Sequence, residues 1–230
     1  MSDYYNKNIL AIDCASNQMK LGLQFGGDRL VKSNTEAKQS HSALIIGKIL
    51  SLLKSAACEV TDIDAIVVAT GPGSFTGLRI GIACAKGMAV ALNIPVVGVN
   101  LFELAAHKLS NANSKVKVVL PFKKDSVFTG IVENGKCDLA TIETVAVKDL
   151  TQHISGMMTA GVGFDVSKIA TDKNKIVGSD KTNYDATEII YLGVEKLNHG
   201  DIPGLAQLEP LYVQKSQAEI NFERDQSKTK

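Results

Sequence analysis

One stretch, Asp62–Asn100, constrains the fold more than any other: DIDAIVVATGPGSFTGLRIGIACAKGMAVALNIPVVGVN. Ala65–Thr70 is a short apolar run rich in β-branched residues, set behind an acidic turn, which is the pattern of a buried strand. Gly71, Pro72 and Gly73 make a turn. Ser74 or Thr76 can cap the helix after it, because a short hydroxyl accepts a hydrogen bond from a first-turn N–H. The helix is predicted to run to about Leu92, where Asn93 ends it and Pro95 forbids its continuation. Val96–Val99 then reads as a second buried strand. Strand, helix and strand in so short a span form a crossover unit of a parallel sheet.

The helix is unusual in its surface. Gly77, Gly81 and Ala85 fall at i, i+4 and i+8, so one face has almost no side chains. An interior Gly costs about 1 kcal/mol relative to Ala, and close approach of another backbone offsets that cost. Leu78, Ile80, Ile82, Met88, Ala89, Val90 and Leu92 make the rest apolar, with only Arg79 and Lys86 charged. Such a helix is buried on more than one face, either wholly within its own core or with one face on its sheet and another on a partner.

The glycine turn does not match the standard phosphate loops. A P-loop needs Gly followed by Lys and Ser or Thr, but Gly77 is followed by Leu78 and Arg79. The dinucleotide fingerprint needs Gly-x-Gly-x-x-Gly, and Gly71, Gly73 and Gly77 are spaced one residue too long. Free N–H groups at a helix start still favour anions in general, so Gly71 and Gly73 are candidate phosphate contacts.

At 230 residues and 45% hydrophobic, the chain can build one large or two small cores. The net charge of +1 argues against nucleic-acid binding without help, because that needs clustered Lys and Arg. Cys14, Cys58, Cys84 and Cys137 show neither C-x-x-C pairing nor zinc spacing and fit a reducing, cytoplasmic setting. The start, MSDYYNKN, has no signal-peptide pattern. The longest apolar run, Ile80–Leu92, is interrupted by Lys86 and too short for a bilayer, so no membrane partner is expected.

In chain order, Asn8–Cys14, Met19–Phe25 and Arg29–Ser33 read as three antiparallel strands, with Gly26-Gly27 reversing the second into the third. A helix over about His41–Ala56 follows, with Leu44, Ile45, Ile49, Leu52 and Leu53 on its apolar face. After the central unit comes a short helix, Leu101–Leu109. The second half repeats the opening: strands at Lys115–Leu120, Val127–Glu133 and Asp138–Val147, with Asn134-Gly135 as a hairpin turn. Lys148–Ile154 is a short helix, Gly156–Phe164 and Lys173–Gly178 are weak strands, and Tyr184–Leu197 is a helix ended by Gly200 and Pro203. Beyond Gln214 the chain is polar and expected to be frayed. The reading is an α/β fold with a first half over 1–108, a smaller second half over 109–205, and a segment from 206 to 230 that returns to the first half.

GPGSFTGLRIG (Gly71–Gly81) followed by AKGMAVALNIPVVGVN (Ala85–Asn100) resembles the hallmark of the TsaB (YeaZ) family, and LEPLYV (Leu208–Val213) resembles its closing P-x-Y motif. The family is related to the TsaD/Kae1 enzymes within the actin-like ATPase superfamily, once labelled glycoproteases. The resemblance implies an actin-like (ribonuclease H-like) fold of two similar halves with mixed sheets. It also implies a non-catalytic scaffold in the complex that transfers a threonylcarbamoyl group to adenosine 37 of tRNA. The implied partners are a TsaD-like catalytic subunit, a TsaE-like ATPase, a second copy as a homodimer, and tRNA only through the complex.

In TsaD two His spaced i, i+4 bind a metal; the corresponding residues here are Leu101 and Ala105, which cannot ligate one. His41, His107, His153 and His199 have no partner at metal-ligand spacing, so neither a catalytic residue nor a metal site is expected. In actin-like ATPases an Asp at the position of Asp13 holds magnesium through water and the loop after it contacts phosphate, so the resemblance adds Asp13 and Ser16 to the candidate phosphate contacts and makes an ATPase or kinase the alternative, with ATP and magnesium confined to the assembled complex. Pro121 and Lys123 stand where the family usually has Asp and Arg, and Lys does not replace Arg in bidentate anion binding. The partner interface is expected on the two long helices, from Gly77, Leu78, Gly81, Ile82, Cys84, Ala85, Ile45 and Ile49, with the outward face left open by the sequence.

Overall fold

The computed structural model of the chain describes residues 3–36, 40–110, 114–170, 172, 175–177 and 183–214. Its strands and helices follow the hydrophobic periodicity closely. In the first half, β1 (Ile9–Asp13), β2 (Gln18–Phe25) and β3 (Arg29–Glu36) form an antiparallel meander. Helix α1 (His41–Ser55), strand β4 (Ala65–Gly71), helix α2 (Phe75–Leu92), strand β5 (Val96–Asn100) and helix α3 (Leu101–Lys108) follow. The second half has β6 (Val116–Lys123), β7 (Ser126–Glu133), β8 (Lys136–Ala146), α4 (Val147–His153), β9 (Met158–Gly161), β10 (Ile176–Val177) and α5 (Ala186–His199).

Two five-stranded sheets result, ordered β3-β2-β1-β4-β5 and β8-β7-β6-β9-β10. In each, the first strand of the half pairs antiparallel with the second and parallel with the fourth. The two halves therefore share one topology.

Side chains alternate across a strand, and the first sheet shows what that produces. Leu10, Ile12, Ile66 and Val68 face outward, onto Ile45, Ile49, Leu53, Ile82 and Ala85 of α1 and α2. Ile9, Ala11, Val67 and Val97 face inward and join Phe102, Leu104, Ile189, Ile190 and Val194 of α3 and α5. The same inner core continues into the second sheet through Val116, Val118, Leu120 and Phe128. Val119, Val127 and Val145 face the other way, onto Leu150 and Ile154 of α4 and onto Val166. From outside to outside the layers are α1/α2, first sheet, α3/α5, second sheet, α4.

The second-half boundary changes in one respect. The sequence assigns everything from 109 to 205 to the second half, but α5 packs on the first sheet. Gly193 meets Val67 so closely that a Cβ would overlap it, Lys196 Nζ donates to the Gly98 carbonyl at 3.1 Å, and the Tyr4 N–H donates to Asn198 Oδ1 at 3.0 Å. The chain beyond α5 also returns to the first half. Leu208 is buried beside Gly98, and the Leu211 N–H donates to the Thr70 carbonyl at 2.8 Å. The expected frayed end, 215–230, lies outside the described residues.

Candidate functional site

Two places hold the residues that the sequence singles out: the cleft at the ends of β1 and β4, and the outer surface of α1 and α2.

At the cleft, the β1–β2 loop and the glycine turn are pressed together. The Ser74 N–H donates to the Ala15 carbonyl at 2.7 Å, and a Cβ at Gly73 would overlap that same carbonyl oxygen. Asp13, Ser16, Gly71 and Gly73 are thus brought into one neighbourhood, but the side chains of Asp13 and Ser16 are already engaged. Asp13 has no solvent exposure. Its Oδ1 accepts from the Ala15 N–H at 2.8 Å, and its Oδ2 accepts from the Tyr184 hydroxyl at 3.1 Å and lies 3.5 Å from Lys20 Nζ. Lys20 also sits over the Tyr184 ring, 3.5 Å from its centroid. Burial, reinforced by the Asp13 charge, raises the Tyr184 hydroxyl well above its ordinary pKa. Ser16 Oγ turns back on its own loop, donating to the Gln18 carbonyl at 3.0 Å and accepting from the Gln18 N–H at 3.1 Å. The Gly77 N–H is taken by the Ser74 side chain at 3.2 Å.

These residues do not fit a magnesium–ATP site. A lysine ammonium and a phenol occupy the carboxylate that would face the cation, and the loop donors close onto one another. The space beside them, about 390 Å³, is walled by Ala15, Pro72, Leu120, Phe122 and Val162 as well as polar groups. Leu101 and Ala105 are 3% and 0% exposed and belong to the central core. Among the described residues, no group of three His, Cys, Asp or Glu side chains is gathered for a metal.

The long helices correct the expected interface. The small face of α2 points into the molecule. A Cβ at Gly77 would overlap the Cys14 carbonyl, and one at Gly81 would lie 3.4 Å from Cys14 Cβ and 3.6 Å from Ile12. Gly77, Leu78, Gly81, Ile82, Ala85, Ile45 and Ile49 are all buried. The glycines serve close packing of α2 on the β1 end of its own sheet, so they are not available to a partner. Of the eight expected contacts only Cys84, half-buried, reaches the surface along its side. Burial raises its thiol pKa.

What does face outward is a second apolar strip. Ile46, Ile80, Ala83, Cys84, Gly87 and Met88 line an open groove of about 520 Å³ between α1 and α2, with Ile45 as its floor. Ile46, Leu50 and Val90 are 53%, 49% and 64% exposed. A Cβ at Gly47 or Gly87 would meet nothing within 4 Å. Helix α2 is 18 residues long and apolar enough to pass as a membrane span by length and composition alone, yet one side of it is packed on a sheet. Sequence reasoning missed this outer strip because its residues have the same character as the inner one.

At the N-terminal end of α2, the returning C-terminal segment stacks Tyr212 on Phe75, with ring centroids 4.8 Å apart and planes 11° apart. Arg79 Nε donates to the Tyr212 hydroxyl at 2.8 Å. The P-x-Y segment thus anchors the chain beside the groove.

Comparison with known proteins follows the same lines. The family described as "TsaD: tRNA N6-adenosine threonylcarbamoyltransferase" matches residues 32–131. The chain is 27% identical over 226 residues to the tRNA threonylcarbamoyladenosine biosynthesis protein TsaB of Bacillus subtilis, covering 93% of this chain and 97% of the relative. It resembles the solved structure of YeaZ from Pseudomonas aeruginosa with a TM-score of 0.66 and 22% identity, over 90% of this chain and 99% of that one. A Bacteroides thetaiotaomicron protein described as having an actin-like ATPase fold superposes with a TM-score of 0.51 and 8% identity, over 83% and 99% of the two chains. The α/β architecture of two similar halves is the actin-like fold.

Proposed function

We propose that the chain, similar along 93% of its length to a TsaB protein, is a member of the TsaB (YeaZ) family and the scaffold subunit of the assembly that transfers a threonylcarbamoyl group to adenosine 37 of tRNA. The observation that carries this reading is the solvent-facing apolar groove between α1 and α2. A patch of this kind marks a protein interface. Ile46, Ile80, Cys84 and Met88 are its anchors, and a TsaD-like catalytic subunit is the proposed occupant. The groove surrounds a single helix pair, so the same patch can meet a second copy of itself about a two-fold axis when the catalytic subunit is absent. A TsaE-like ATPase and tRNA join through the complex, in the cytoplasm.

The subunit itself is proposed to be non-catalytic. Two observations support this. The positions equivalent to the TsaD metal ligands, Leu101 and Ala105, are core residues, and Asp13 is saturated by Lys20, Tyr184 and the Ala15 N–H. Chemistry is left to the partner, and this chain supplies an apolar platform held rigid by the close packing of α2 on β1.

Light scattering of the chain alone and mixed with its TsaD-like sibling tests the reading. The expected result is a self-dimer that gives way to a mixed complex, with Ile46→Asp, at a position 53% exposed, abolishing both while leaving the melting temperature in place. A failure to form a mixed complex, together with stoichiometric binding of ATP–magnesium by the isolated chain, would overturn it in favour of an ATPase.

A further inference from the structure

On the far side of the first sheet from the α1/α2 groove lies a cavity of about 450 Å³. Its walls come from three elements that meet only in the folded chain: the N-terminal turn Tyr4–Asn6, the β2–β3 turn Gly26–Arg29, and the first turns of α5. Two tyrosines line it, Tyr5 and Tyr191, and they are 53% and 58% exposed. Among the described residues, two of the most exposed rings share one opening. Arg29 lines the same cavity, its guanidinium resting on the Phe25 ring 4.4 Å from the centroid. Among the described residues, no carboxylate stands within ion-pair distance of it. Asp28 is on the same rim, and Asn6, also on it, donates its Nδ2 to Asp3 at 2.6 Å.

Each feature selects an aspect of the ligand. Exposed phenol rings favour a flat unsaturated ring, because stacking on an aromatic face tolerates any base. A free guanidinium favours an anionic oxygen. Asp28 on the same rim sets a limit on that anion: one cation in a cavity that also holds a carboxylate suits a single negative charge better than two. A terminal phosphate is close to a dianion at neutral pH, whereas a phosphodiester carries one charge. A ring next to a monoanionic phosphodiester is a nucleotide inside a chain.

We propose that the Tyr5–Arg29–Tyr191 cavity binds one unpaired nucleotide of a nucleic-acid strand, its base on the tyrosines and its phosphodiester on Arg29. The site is independent of the α1/α2 groove and stands whether or not the scaffold reading holds. With a chain net charge of +1, attraction to the backbone as a whole is weak. Binding is therefore modest, local and only shallowly dependent on salt.

The test uses the full chain, a fluorescein-labelled single-stranded adenylate hexamer, and anisotropy at low salt. The expected result is saturable binding that Tyr5→Ala with Tyr191→Ala weakens about ten-fold or more, that the two Tyr→Phe changes preserve, and that Arg29→Ala weakens with a flatter salt dependence. All these side chains are exposed, so circular dichroism melts should coincide with the parent; Arg29→Glu is a second variant should the double alanine chain melt early. Unlabelled ApA, which has a phosphodiester, should displace the probe better than AMP. Absence of saturable binding, or binding unchanged in the double alanine and Arg29→Glu variants, would overturn the site. Displacement by AMP equal to or better than ApA would overturn the assignment to a nucleotide within a strand in favour of a free nucleotide.

Discussion

The two sheets have the same strand order and the same mix of antiparallel and parallel pairing, yet their outer faces are finished differently. On the first, the crossovers are long helices, α1 of 15 residues and α2 of 18, and they carry more apolar surface than the sheet can cover. On the second, the corresponding helix α4 has 7 residues and the last strand, β10, has 2. Its outer face closes over Leu150, Ile154 and Val166, with a polar cluster at the edge where His153 Nε2 lies 2.9 Å from Glu143 Oε1 and 3.1 Å from Lys117 Nζ. A duplicated sheet thus provides the frame, while the length and surface of its crossover helices decide which half is left with something to bind.

The sharpest way to break the comparison is within α2, whose inner and outer faces have opposite tolerance. Gly77→Val places a branched side chain on the Cys14 carbonyl, which as backbone cannot give way. The expected destabilisation is about 5 kcal/mol, in the range reserved for severe overpacking, and urea melts should show little folded protein. Gly87→Val, ten residues further along the same helix and facing open space, should stay within about 0.5 kcal/mol of the parent. Equal effects would mean that α2 is turned differently from the arrangement described.

The next effect lies at the cleft, where the first half closes on the segment leading into α5. Lys20→Met leaves the Asp13 carboxylate buried without its cation, and breaking a buried pair by removing one partner costs about 3–5 kcal/mol. Tyr184→Phe removes only a hydrogen bond to that carboxylate and should cost about 1–3 kcal/mol. Thermal melts of the two variants and their double mutant would separate the contributions. A Lys20→Met variant as stable as the parent would show that Asp13 has another source of neutralisation.

A smaller effect on stability but a large one on assembly is expected on the outer face. Ala83→Arg puts a charge in the α1/α2 groove and should leave the melting curve in place while weakening the mixed complex by about 100-fold, close to 3 kcal/mol. The same change at Leu139, an exposed apolar residue of the second half (53% exposed), should leave assembly untouched. Loss of the complex from Leu139→Arg and not from Ala83→Arg would move the interface to the other half.

Most of the architecture was legible because its signals are local. Short apolar runs between turn signals located the β1–β3 and β6–β8 meanders, Asn134-Gly135 marked a hairpin, and Asn93, found in the left-handed region at φ 53, ended α2 where the sequence placed its stop. Legibility failed where a signal has two physical meanings. A run of small residues at i, i+4 and i+8 says that something approaches the helix closely, but not whether it is the chain's own β1 or a neighbour; only the position of Cys14 against Gly77 decides. Likewise Asp13 at a strand end is compatible with a cation site until Lys20 and Tyr184, the latter 171 residues away, are seen to fill it. The helix Ala186–His199 was found within two residues at each end but grouped with the second half although it packs on the first sheet, since periodicity reports a buried face and not the sheet that buries it.

That last reassignment yields the mildest prediction. Asp185 caps α5 by accepting from the Thr187 N–H at 2.7 Å and pairs with Lys32 on β3, so the start of α5 is tied to the first sheet by charge as well as by packing. Burial alone would raise the Asp185 pKa, but hydrogen bonds from Lys32 and Thr187 and the Lys32 charge together lower it from 3.8 to about 2. A carboxylate with a depressed pKa in the folded state adds stability above its unfolded pKa and loses it as pH falls through the folded one, so the window here is about pH 4 down to pH 2. Asp185→Asn keeps a side-chain oxygen for the cap and removes only the charge. Because the pair is partly exposed, the expected loss is about 1 kcal/mol or less, present at pH 7 and vanishing near pH 2. Lys32→Met should give the same loss with the same pH profile, and the double variant should be no worse than either alone. If the two losses instead add in full, α5 is not held to the first sheet by this pair, and its place there rests on Gly193, Ile189 and Ile190 packed against the sheet's inner face.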